Sequence, residues 1–289
     1  MYYPGCMILS EQYQYEISAK KILDYFNVKY EDIPEFHCCG EPLKCVNVST
    51  WLTMAARIIA MAEDKGRDVL VLCNGCYLSL NKARKYLLND SRRFKEVNSI
   101  LSREGLEFRG TAKIKHIVNI LVEDIGVDKI KQSVKRQINI KVATHYGCHV
   151  LRPYEFSIDP DPENPTILEK LLNAIGAKAP YYPERLDCCM ILFGNVKHRE
   201  ADYLRAVKLE AIKKRGFDAL VTICPLCQKS YETRQKRLKK IFKKDVFIPV
   251  VYYTQLLGLA LGFSPEDMGL HLNQSPVEVL LEKLGISFQ

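Results

Sequence analysis

Asp218-Ala-Leu-Val-Thr-Ile-Cys224-Pro-Leu-Cys227 decides the fold, because the chain carries the pattern twice. The copy is Asp68-Val-Leu-Val-Leu-Cys73-Asn-Gly-Cys76. Each is a short apolar run rich in β-branched residues, the mark of a buried strand. Each runs straight into a C-x-x-C pair. Amphipathic stretches with helical spacing precede both, Trp51 to Lys65 and Lys197 to Arg215, and each ends at a glycine (Gly66, Gly216) suited to a helix C-terminus. A further helical pattern follows each pair. Beyond it, Lys113-Ile-Lys-His-Ile-Val-Asn-Ile-Leu is matched by Pro249-Val-Val-Tyr-Tyr-Thr-Gln-Leu-Leu.

The repeat extends upstream. Tyr2-Tyr3-Pro4-Gly5-Cys6 opens the chain, and a strand expected over Ile138 to Thr144 leads into His145-Tyr146-Gly147-Cys148. In both, glycine precedes cysteine, which lets backbone approach a bulky group. Strands alternating with helices give an α/β fold: two pseudo-symmetric α/β halves with largely parallel sheets, expected over residues 1–137 and 138–289. Cysteines at the C-terminal ends of such strands converge on one crevice edge, where open α/β sheets bind ligands. The joint falls at residues 126–137. The stretch Arg152 to Pro165, with four prolines, reads as a loop inserted after Cys148.

The chain has 289 residues, 47% of them hydrophobic and 26% charged, enough for about two soluble domains. No basic segment leads into an apolar stretch at the N-terminus, and the longest apolar run near the C-terminus, Leu256 to Phe263, is too short to span a bilayer. A soluble cytoplasmic protein with no membrane span is expected. The formal charge of +8 suits anionic small ligands or acidic partners, and equally an ordinary basic surface. No nucleic-acid partner is expected.

Eleven cysteines in a cytoplasmic protein point to metal or redox chemistry. Ten of them form two series, C-x(31–39)-CC-x(33–34)-C-x-x-C in each. The first is Cys6, Cys38, Cys39, Cys73 and Cys76. The second is Cys148, Cys188, Cys189, Cys224 and Cys227. Cys45 stands outside as an ordinary core or loop residue. Structural zinc takes four ligands, and a cubane iron–sulfur cluster normally takes four thiolates. Five donors leave one over, or serve a cofactor with more attachment points. Neighbouring side chains of an extended segment point in different directions, so a vicinal pair suits different metal atoms of a spread-out cluster better than a single zinc ion.

With these motifs the chain resembles the B subunit of heterodisulfide reductase, built from two cysteine-rich CCG domains. The resemblance spans nearly the whole chain. It is carried by Cys38-Cys39-Gly40, Trp51 through Ala62, Cys73-Asn74-Gly75-Cys76 with Ser79-Leu80, His145-Tyr146-Gly147-Cys148-His149, Cys224-Pro225-Leu226-Cys227 and Gln255-Leu256-Leu257-Gly258-Leu259-Ala260. It implies that each five-cysteine set holds a noncubane [4Fe-4S] cluster. It further implies reduction of the coenzyme M–coenzyme B heterodisulfide to two thiols, the disulfide lying between the two clusters and each cluster supplying one electron. The implied partners are a ferredoxin-like C subunit and a flavin-containing A subunit, with a hydrogenase or formate dehydrogenase beyond them. The chain itself has no ferredoxin-type C-x-x-C-x-x-C run and no G-x-G-x-x-G fingerprint, so electrons must be delivered by a partner.

Both coenzymes are anionic, and Arg152 and Lys197 are the candidates to orient such a substrate. His149, next to a cluster ligand, is the candidate proton donor to a product thiolate; it equally fits a hydrogen bond to a cluster sulfur or plain packing. His145 reads as structural, and Tyr2, Tyr3, Tyr146 and Tyr252 as core residues with satisfied hydroxyls. Lys229 to Lys244 reads as an exposed helix face. One departure stands out. The family has glycine after the vicinal pair and a glycine-rich loop beyond it, where this chain has Met190-Ile-Leu-Phe193 after Cys188-Cys189. That loop narrows substrate access or shapes it for another disulfide. A paralogue acting on another sulfur compound, an electron-relay subunit retaining its clusters, and a zinc protein therefore remain as alternatives.

Overall fold

A computed structural model describes residues 1–33 and 35–288. The strand expected before each C-x-x-C forms the centre of a three-stranded parallel sheet. In the first half β1 (Tyr2–Tyr3) is followed by helices α1 (Tyr13–Tyr25) and α2 (Val48–Asp64), then β2 (Val69–Val71), α3 (Asn74–Asn89) and β3 (Ile114–His116). The second half repeats this with β4 (Val142–His145), α4 (Ile167–Ala174), α5 (His198–Lys214), β5 (Ala219–Thr222), α6 (Pro225–Glu232), β6 (Val250–Tyr252) and α7 (Tyr253–Ala260). The sheet orders are β1-β2-β3 and β4-β5-β6. The registers correspond: Tyr3 pairs Val71 and Val71 pairs His116, as His145 pairs Thr222 and Thr222 pairs Tyr252. Strands β2 and β5 are buried throughout, which is why they read as unbroken apolar runs.

Local chemistry sets the helix ends. Asn47 Oδ1 accepts from Thr50 N at 3.0 Å to open α2. Both long helices close on a glycine at positive φ, Gly66 at 61° and Gly216 at 67°. The strand expected from Ile138 begins only at Val142. Residues before it run along the 175–178 segment instead: Ile138 N donates to Ile175 O at 2.9 Å and Lys178 N to Ile140 O at 2.8 Å. Apolar composition alone does not reveal which neighbour takes the hydrogen bonds. The basic stretch after Lys229 is also broken, with α6 ending at Glu232 and a second helix running Gln235–Phe242.

The halves interlock through one continuous core. Helix α1 of the first half packs on α7 of the second, where Ser18 Oγ and Thr254 Oγ1 lie 2.7 Å apart. The Tyr15 and Tyr252 rings stack at 3.9 Å, and their hydroxyls donate to Ile223 O (3.0 Å) and Gln12 Oε1 (2.6 Å). No helix among the described residues is long and apolar enough to cross a membrane.

Candidate iron–sulfur centres

Cys6, Cys73, Cys148 and Cys224 each sit just past the C-terminal end of a parallel strand. The two C-x-x-C pairs are helix starts. Cys73 and Cys224 occupy the N-cap positions of α3 and α6, and Cys76 and Cys227 lie one turn inside. That places thiols where free backbone N–H groups and the positive helix end favour a thiolate. The Gly-Cys pairs also find their reason. Gly5 and Gly147 hold φ of 74° and 77°, and a Cβ on them would lie 3.0 Å from Cys76 Sγ and 3.1 Å from Cys227 Sγ. In each half, the strand-end loop thus lies on the last sulfur of the C-x-x-C pair.

The sulfurs neighbour one another in the same order in both halves. Cys6 touches Cys38 at 3.9 Å, and the contacts continue from Cys38 to Cys39, Cys76 and Cys73. The second series runs Cys148, Cys188, Cys189, Cys227, Cys224. Bonds from Cys39 and Cys6 hold Cys38 well below the usual thiol range, and bonds from Cys148 and Cys189 do the same to Cys188. Hydrogen bonding to those thiolates pushes Cys39 and Cys189 each up to about 12. The two series meet at their buried ends, where Cys73 and Cys224 are neighbours. Burial pushes Cys224 up, but bonds from Cys227 and Cys73 outweigh it and leave this thiol well below its ordinary value.

All ten cysteines are free, and Cys45 is exposed in the turn after 41–43, away from strand ends. Five converging soft donors per half, with no disulfide among them, fit a polynuclear iron–sulfur cluster. Cys6, Cys148 and Cys188 are exposed while the C-x-x-C pairs are buried. Each set therefore has an open side and a closed side.

The residues around the sulfurs are less symmetric. His149 stands at the open rim, its Nδ1 3.1 Å from Cys148 Sγ and its Nε2 3.9 Å from Glu41 Oε1 of the opposite half. Arg152 is exposed and ion-paired with Glu163 at 3.1 Å. Lys197 is exposed at the N-cap of α5. Met190 holds φ of 59°, a left-handed conformation that its counterpart Gly40 (φ 80°) adopts without penalty. Its carbonyl accepts from Arg205 Nη2 at 2.6 Å and from Gly194 N at 2.8 Å, which pins the loop in that turn.

Several site neighbours were not anticipated from the sequence. Ser79 and Ser230, each three residues after the last cysteine of its set, donate to the carbonyls of Cys39 (3.1 Å) and Cys189 (2.5 Å). Trp51 Nε1 steadies Ser79 at 2.8 Å, and Arg205 Nε steadies Ser230 at 2.7 Å. Arg205 is wholly buried with Asp202, 2.7 Å away. Asn74 Nδ2 donates across the halves to Tyr146 O at 2.7 Å. One of the ring nitrogens of His145 lies within 4.8 Å of both Cys189 and Cys227 sulfurs.

Comparison with known proteins agrees with this geometry. Residues 1–81 and 142–232 match the cysteine-rich domain family, CCG. The chain is 37% identical to the B subunit of the ferredoxin:CoB-CoM heterodisulfide reductase of Methanosarcina mazei, over 93% of this chain and 91% of that protein. It is 31% identical to the 8-methylmenaquinol:fumarate reductase membrane anchor subunit of Wolinella succinogenes, over 94% and 95%. The solved structure of a hypothetical protein from Helicobacter pylori superposes with a TM-score of 0.75 at 18% identity, covering 95% of this chain and about half (51%) of that one. The likeness in fold extends across both halves, and by the sequence matches the chain belongs to the CCG-domain family of heterodisulfide reductase B subunits.

Proposed function

We propose that this chain is the subunit at which an anionic disulfide, the coenzyme M–coenzyme B heterodisulfide, is reduced to two thiols. The observation that carries the reading is the duplicated set of five sulfurs, each open on one side and joined at the closed side through Cys73 and Cys224. Cys6, Cys38, Cys39, Cys73 and Cys76 would hold one noncubane [4Fe-4S] cluster, and Cys148, Cys188, Cys189, Cys224 and Cys227 the other. When bound, each cluster supplies one of the two electrons that splitting a disulfide requires.

The chain's own residues take the remaining roles. His149 faces the open rim and carries a proton to a departing thiolate, with Glu41 across the cleft holding its ring. Arg152 and Lys197 keep their charges in solvent at the margin, where they attract the anionic ends of the substrate. Electrons arrive from a ferredoxin-like C subunit and a flavin-containing A subunit in the cytoplasm, with a hydrogenase or formate dehydrogenase upstream.

A second reading is an electron-relay subunit that keeps both clusters. The 31% identity to a subunit named as the membrane anchor of a fumarate reductase favours it, as does the bulky Met190 loop. Adding the heterodisulfide to the oxidised complex separates the two. The first reading expects a new paramagnetic signal and release of two thiols under reductant. No signal and no thiol would establish the relay.

A further inference from the structure

The faces that α2 and α5 turn to their sheets differ in kind. Aligned on their terminal glycines, Leu52, Ala55 and Ile58 of α2 correspond to Asp202, Arg205 and Lys208 of α5, and all six are buried. An apolar stripe behind the first cysteine set is thus replaced by an ionic stripe behind the second. Arg205 is balanced by Asp202 at 2.7 Å, and Arg237 also reaches Asp202 at 2.9 Å. Among the described residues Lys208 has no carboxylate within salt-bridge distance. Its Nζ donates to His145 Nδ1 at 2.9 Å and to the Arg185 and Asp187 carbonyls, each at 3.3 Å.

That bond decides the tautomer of His145. With Nδ1 accepting from Lys208, the ring proton sits on Nε2. Nε2 is buried and has no hydrogen-bond partner, sulfur included, among the described residues. A buried N–H left unpaired is costly, and one ring nitrogen lies within 4.8 Å of the sulfurs of Cys189 and Cys227. The equivalent position in the first half is Tyr3, likewise three residues before its glycine-linked cysteine and beside Cys76 and Cys39. Tyr3 spends its hydroxyl on His37 O at 2.7 Å and offers the sulfurs nothing.

We propose that Lys208 and His145 are positioning residues that make the second cysteine set the more oxidising of the two, Lys208 fixing the imidazole so that the orphaned Nε2–H is left to donate to a sulfur of the cluster that Cys189 and Cys227 would hold. A donor and a cation beside a cluster favour its one-electron-reduced form, because both stabilise added negative charge. The two centres then differ in potential by construction, and an electron shared between them rests on the second.

The inference rests on both sets holding clusters, so the test begins with iron and acid-labile sulfide in the anaerobically purified chain. One cluster or none there removes the cluster reading before any variant is made. With two present, a dithionite titration followed by electron paramagnetic resonance should resolve two midpoints in the wild type. In Lys208→Met and His145→Phe, at unchanged iron content, the higher midpoint should fall. The reduced-to-oxidised ratio at a fixed potential drops on the order of tenfold, about 59 mV for one electron. His145→Gln keeps an amide donor and should keep the wild-type midpoint, so the Phe–Gln contrast decides the matter even if Lys208→Met does not fold. Coincident wild-type midpoints, an unchanged higher midpoint in His145→Phe, or an equal shift of both would overturn the proposal.

Discussion

At the scale of single residues, the cysteines were legible and their supports were not. A duplicated five-cysteine spacing is a pattern no packing demand produces, so the spacing singles out ten cysteines as candidate ligands. Arg205 and Lys208 lie in a stretch crowded with charges; only their spacing with Ala201, Leu209 and Ile212, all buried, marks them as facing inward. Met190 was legible as a departure, but not its left-handed backbone. Because a non-glycine residue there costs about 1–2 kcal/mol, Met190→Gly should raise stability by about 1 kcal/mol in denaturant titration of the loaded protein. Gly40→Ala should lower it by about 1–3 kcal/mol, since a Cβ there would sit 3.1 Å from Trp51 Cδ1. Glu232 gives a pH signature. Burial raises its carboxyl from 4.5 to about 7, and its Oε2 has no hydrogen-bond partner among the described residues. The folded chain therefore binds the proton more tightly than the unfolded one. The protonated acid's contribution is complete below pH 4.5 and is lost as pH rises through about 7. Denaturation midpoints of wild type and Glu232→Gln should diverge from pH 5 to pH 8, the wild type losing about 2–3 kcal/mol relative to the variant; parallel curves would remove Glu232 from the account.

At the scale of elements, strands β2 and β5 and helices α2 and α5 could be placed within a few residues. Buried parallel strands are apolar runs, and glycine marks the helix ends. The failure at 138–141 has a different cause. An edge segment's identity depends on which chain takes its hydrogen bonds, and that partner, residues 175–178, lies on the far side of an inserted loop. The helix-end reading has a clean test. A Cβ at Gly66 or Gly216 would meet nothing within 4 Å, so alanine there costs only its left-handed backbone. Each of Gly66→Ala and Gly216→Ala should destabilise by about 1 kcal/mol, read as a lowered denaturation midpoint with unchanged iron content. A neutral effect at both would show that these helix ends re-form around alanine.

At the scale of the whole molecule, the repeat predicts two halves, and we propose 137/138 as the division between them. The interlock of α1 with α7 was not readable, because it depends on how the copies face each other. Tyr15, stacked on Tyr252 and bonded to Ile223 O, ties the first half to the strand end that carries Cys224. The halves should therefore unfold together. Trp51, the single tryptophan, reports on the first half by fluorescence, and far-ultraviolet dichroism reports on both. The two curves should coincide, and separate transitions would show independent halves. Tyr15→Phe, which leaves the buried Ile223 carbonyl short of a donor, should shift that single transition down by about 1–3 kcal/mol. The measurement that bears most directly on the account is iron and acid-labile sulfide in the anaerobically purified chain, with Cys39→Ser and Cys189→Ser beside it. Two clusters of four irons require roughly eight iron and eight sulfide per chain, falling by about half in each variant. A colourless protein containing zinc and no acid-labile sulfide would contradict it.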